Sequence, residues 1–119
     1  MPVITYENSI FTKELYKRID SISTYLTESQ GIKKRIKSKV GIAAVYSVLA
    51  GARLIDITGK KEEDMVGGVG VFLYLKDGTR KSFAVGYQVR AANAVYLAKD
   101  TKLGDRAGNC IRKYLVDPA

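Results

Sequence analysis

VGVFLYLKDGTRKSFAVGY, residues 69–87, is the stretch on which the fold turns. Val69 to Lys76 and Thr79 to Tyr87 are rich in β-branched and aromatic residues. Between them, Asp77-Gly78 is the dipeptide that accepts the positive φ angles of a tight two-residue turn. The stretch predicts a β-hairpin. Side chains alternate across a strand, so Val69, Val71, Leu73 and Leu75 share one face while Phe72, Tyr74 and Lys76 stand on the other. Aromatics and cations on an open sheet face are what base stacking on single strands uses. Helices on both faces would instead make Phe72 and Tyr74 core residues, which the balance of helices to strands below favours.

Upstream, Gly67, Gly68 and Gly70 lead into a strand and not into a helix, so they suit hairpin entry and a bulge better than a phosphate-cradling loop. Thr58 to Gly68 reads as a polar loop. Its acids Glu62, Glu63 and Asp64 stand beside Lys60 and Lys61 and lack the spacing of oxygen ligands for a hard cation. Ala52 to Ile57 reads as a strand, and Ile32 to Ala50 as a helix closed by Gly51. The apolar half of that helix, Ile42 to Leu49, should be buried; its β-branched Ile42, Val45 and Val48 leave a strand as the alternative. Further upstream, Phe11, Leu15, Ile19, Ile22 and Leu26 recur at helical spacing, with Thr12 as N-cap and Gly31 as the stop.

Downstream, Val89, Ala92, Val95 and Tyr96 fit one helical stripe and Ala107, Ile111, Tyr114 and Leu115 a second, with Gly104 and Asp105 between them. The expected fold is therefore α+β, a single domain over residues 1–119 in the order α-α-β-β-β-α-α. A three-stranded antiparallel meander packs with about four helices, and Val3 to Tyr6 is a candidate fourth strand. The order helix, three strands, helix from about Val40 to Lys99 is similar in outline to a double-stranded-RNA-binding domain. Its last helix would open Gln88-Val89-Arg90-Ala91-Ala92, with one cation where that family carries a lysine cluster, so the analogy is topological and no family is assigned.

The chain has no histidine and one cysteine, Cys110. The commonest general base is missing, zinc sites of the Cys and His type cannot be assembled, and no nucleophile has a partner. A non-enzymatic protein without cofactor or metal is expected. Cys110 suits a small apolar position on a helix, and a lone cysteine fits a reducing compartment, the cytoplasm. The N-terminus shows no basic segment leading into an apolar run. The apolar run Val40 to Ala50 is about half the roughly 20 residues that span a bilayer, so no transmembrane segment is expected.

What remains is binding, and charge points to the partner. Twenty Lys and Arg against 12 Asp and Glu give +8, which makes a polyanion the first candidate. The excess sits toward the two ends. Residues 1–41 carry eight basic and four acidic side chains, 42–77 four and five, and 78–119 eight and three. Lys33, Lys34, Arg35, Lys37 and Lys39 form a run without one acid at the start of an expected helix, where the macrodipole disfavours cations. These five are the candidate phosphate contacts, Arg80, Lys81 and Arg90 extend the patch, and Phe72 and Tyr74 are the candidate stacking residues. Nucleic acid is thus the expected partner. The alternative is a protein-interaction module that buries the Val40 to Leu49 segment and some of its eight tyrosines against an acidic protein or a second copy of the chain. A third reading is an anionic membrane surface.

Overall fold

Three helices and six strands follow one another in the computed structural model, which describes residues 3–24, 35–59 and 68–115. In chain order they are α1 (Lys13–Arg18), β1 (Ile19–Thr24), α2 (Lys39–Ala50), β2 (Leu54–Asp56), β3 (Val69–Leu75), β4 (Arg80–Val85), β5 (Gln88–Arg90), β6 (Val95–Ala98) and α3 (Leu103–Tyr114). The strands form one antiparallel sheet in the order β1-β3-β4-β5-β6-β2. The expected order α-α-β-β-β-α-α is overturned: the molecule is α+β, and its described residues form one six-stranded antiparallel sheet and three helices. Val3 to Tyr6 is not a strand, although Glu7 N–H donates to the Ala50 carbonyl beside it at 2.8 Å.

Two stretches with helical spacing are strands, each for a definite reason. A register shift between Ile19 and Ser21, where β1 pairs with β3, puts one extra residue into β1. Ile19 then pairs with Leu75 and Ile22 with Leu73, both on the core face, at a spacing of three that imitates a helical stripe. Val89 and Tyr96 lie directly opposite each other in the β5–β6 hairpin, whose turn is closed by Ala91 N–H donating to the Ala94 carbonyl. A cross-strand pair two turns of helix apart in sequence therefore looked like one helix face, and the segment likened to an RNA-binding helix is β5. The helix expected from Ile32 begins at Lys39. Ser38 caps it, accepting from Gly41 N–H at 3.0 Å, while Ile36 pairs with Ile22 as an isolated bridge and Ile32 to Lys34 lie outside the described residues.

The hairpin stands where expected, with a different turn. Leu75 N–H donates to the Thr79 carbonyl and Gly78 N–H to the Leu75 carbonyl, so the loop is the three residues Lys76, Asp77 and Gly78, and only Gly78 takes a positive φ, 89°. Asp77 organises it. Its carboxylate accepts from the Thr79 hydroxyl at 2.6 Å, from Thr79 N–H at 2.9 Å and from Arg18 at 3.3 Å. Those hydrogen bonds, those from Thr79 first, hold its pKa below the ordinary 3.8, and Arg106 with the Lys102 amide does the same for Asp100. Groups with depressed folded-state pKa values stabilise the fold above their unfolded pKa and lose that contribution as the pH falls through the folded value. Asp77→Asn and Asp100→Asn should therefore flatten the acid limb of a thermal-stability profile between about pH 5 and pH 2. An unchanged limb would refute the assignment.

The described helices pack on one face of the sheet. Ile42, Val45, Tyr46 and Leu49 of α2 and Leu103, Ala107 and Ile111 of α3 meet Val71, Leu73, Phe83, Val85 and Val89 in a continuous core. Gly104 lies within α3 and does not end a helix as expected. A Cβ there would stand 2.8 Å from Gly86 Cα and 2.9 Å from the Val85 carbonyl, so its absence lets the helix start rest on the β4–β5 bend. The chain before α1 is locked by Asn8. Its Nδ2 donates to the carbonyls of Leu49, Ala50 and Ala52 at the end of α2, and its Oδ1 accepts from Ile10 and Phe11 N–H. No helix among the described residues is long and apolar enough to cross a membrane.

Candidate functional site

The sheet face turned away from the helices carries Gly70, Phe72 and Tyr74 from β3. Arg80, Ser82 and Ala84 of β4 are paired with them in register. β5 adds Gln88 and Arg90, the latter opposite Ala84. Alternation alone accounts for this set, because Val71, Leu73, Phe83, Val85 and Val89 occupy the buried face. Phe72 and Tyr74 are half-buried and belong to this second face, on which no described helix packs.

Each aromatic ring has an arginine over it. Arg80 Cζ lies 4.7 Å from the Phe72 centroid, and Arg35 Cζ, arriving from the segment before α2, lies 3.6 Å from that of Tyr74. Both arginines are exposed, and among the described residues no carboxylate pairs with either. A guanidinium laid flat on a ring is fixed in orientation at a gain of about 0.5–1 kcal/mol, keeps its N–H rim free, and presents a second planar surface outward. Arg90 is held differently: its Nε and Nη2 donate to Gln88 Oε1 at 3.2 and 3.1 Å. Since Arg90 is opposite Ala84, four residues along β4 from Arg80, the two cations are anchored about 13 Å apart.

Between them the small side chains of Gly70, Ser82 and Ala84 leave space. They help line a groove of about 1310 Å³ that also takes in Phe72, the Ala91 to Ala94 turn and, from the helical side, Ile10, Gly108 and Arg112. Next to the aromatics, Ser21 and Ser23 of β1 face Tyr74 and Phe72 in register; both are fully buried, and Ser21 Oγ has no hydrogen-bond partner.

The structure divides the residues that sequence grouped together. Arg35, Phe72, Tyr74, Arg80 and Arg90 share the second face. Lys81 is exposed but opposite Leu73, which gives it the parity of the helical face, though it reaches the groove lining. Lys37 and Lys39 line a separate hollow with Lys17 and Lys76, on the side of the helices. Lys33 and Lys34 lie outside the described residues. Sequence reasoning missed Ser82, Ala84 and Gln88, which the period-two alternation of the hairpin could have supplied, and Arg112, for which only the tertiary arrangement gives a signal. Cys110 is half-buried on α3, and burial pushes its thiol pKa up, as suits a packing residue.

No protein-family model matches this chain, and neither a curated protein nor a solved structure matches it.

Proposed function

We propose that this chain is a non-enzymatic nucleic-acid-binding domain that lays single-stranded DNA or RNA across the sheet face on which no described helix packs. Bases stack against the Phe72–Arg80 and Tyr74–Arg35 pairs, and phosphates meet the guanidinium rims and Arg90. One observation carries this: two arginine-on-aromatic stacks, two residues apart on β3, lie on the face on which no described helix packs, and both arginines lack acidic partners among the described residues. Planar cations over rings offer both components of sequence-tolerant single-strand binding, a stacking surface and a phosphate contact. A duplex keeps its base faces internal and would use only the charge. The overall +8 adds long-range attraction for a polyanion, and the lone cysteine suits a reducing compartment, the cytoplasm.

Fluorescence anisotropy with a labelled single strand and its duplex, at about 50 mM and about 200 mM salt, tests this. Single strands should bind more tightly than duplex, with affinity falling as salt rises. Phe72→Ala should cost about 1–3 kcal/mol, or about 5- to 150-fold in Kd. Absence of binding at low salt, insensitivity to salt, or Phe72→Ala binding like the parent would each sink the proposal.

A further inference from the structure

We propose that the hollow between α1 and the start of α2 is an anion site for a compact, multiply charged phosphate such as a di- or triphosphate, separate from the sheet face that carries Phe72 and Tyr74 and independent of what that face binds. Four lysines from three places in the chain line it: Lys17 at the end of α1, Lys37 just before and Lys39 at the start of α2, and Lys76 in the β3–β4 turn. The single carboxylate among the lining residues is Asp20. All four lysines are exposed, and among the described residues none is ion-paired, Asp20 included.

Folding gives no reason for this gathering. Four ammonium groups gathered with one carboxylate, Asp20, carry a net repulsion, and α2 has no acid in its first turn while Lys39 sits there against the macrodipole. The locally unfavourable choice is relieved by an anion in the hollow. The hollow, of about 330 Å³, is open to solvent, and the nearly buried Ile19 and Ile42 are among its lining residues. The ligand class follows from the donors. Lysine is a compact point charge without the fork that matches a planar carboxylate, and four lysines around one hollow suit several tetrahedral phosphates held close together. The backbone fixes this geometry, because Lys76 N–H donates to the Arg18 carbonyl at 2.8 Å and so ties the β3–β4 turn to the end of α1.

Isothermal titration calorimetry of the full chain with sodium tripolyphosphate at constant ionic strength tests the site, with sulfate as the single-anion comparison. One tripolyphosphate should bind per chain, at least about tenfold more tightly than sulfate. Lys39→Gln/Lys76→Gln should weaken it by about tenfold or more, whereas Arg53→Gln/Lys99→Gln, which removes the same charge elsewhere on the surface, should change it by less than about twofold. Far-UV circular dichroism checks that both variants fold, as substitution of exposed side chains predicts. No saturable tripolyphosphate binding, sulfate binding as tightly, or equal losses in the two double variants would overturn the proposal.

Discussion

Tyr46→Ala is expected to lower the unfolding free energy by about 3–5 kcal/mol, the range for removing a fully buried aromatic. For a chain of this length that is a fall in Tm of about 10–25 °C. Tyr46 is completely buried on α2, where its ring meets Phe11 edge-on at 6.0 Å and lies 5.1 Å from Tyr16 and 6.4 Å from Tyr6. Its hydroxyl donates to the Thr12 carbonyl at 2.6 Å, and burial drives the phenol pKa far above its ordinary value. Tyr46→Phe keeps the rings and loses only the hydroxyl. Thr12 keeps Tyr16 N–H as a donor to the same carbonyl, so this variant should cost about 1 kcal/mol. Chemical denaturation of the two variants separates packing from hydrogen bonding; equal losses would contradict the assignment.

Asn8→Ala is the second large effect, about 2–4 kcal/mol, although the residue lies in irregular chain. One amide group serves three carbonyls at the end of α2 and two N–H groups ahead of α1, and alanine leaves those partly buried backbone groups without these partners. Ser9→Ala, at an exposed neighbour, should change stability by less than about 0.5 kcal/mol. Comparable losses at the two positions would show that Asn8 is no latch.

What sequence reveals here depends on how far apart the determining residues lie. The β3–β4 hairpin was legible because Asp77-Gly78 and the alternation of Val71, Phe72, Leu73 and Tyr74 are local. The C-cap at Gly51 and the apolar half of α2 were legible for the same reason. β1, β5 and β6 were not. Ile19 and Ile22 share a face only because of a bulge, and Val89 and Tyr96 only because a hairpin folds them together, yet both pairs have helix-like spacing. Miscounting those strands as helices also hid the site. With too many helices and too few strands, Phe72 and Tyr74 read as covered, whereas no described helix packs on their face. Arg80 and Arg90 were visible as charges. That Arg35 parts from Lys37 and Lys39 was not, because the pairing of Ile36 with Ile22, which places Arg35 beside β1 with its side chain over Tyr74 of β3, is a tertiary contact.

The strand order also fixes a sequence of events in folding. β3, β4, β5 and β6 are consecutive in the chain and adjacent in the sheet, so each can close on the one before it through a short loop. The two outer strands cannot: Ile19 must find Leu75, 56 residues on, and Leu54 must find Ala98, 44 residues on. Such closures carry a larger entropic cost before any contact rewards them. The central meander, which holds Phe72, Arg80 and Arg90, can thus form as a nucleus, while β1 and β2 close its borders last and open first. A ligand lying on the central strands would stabilise the part of the sheet that is already the most persistent.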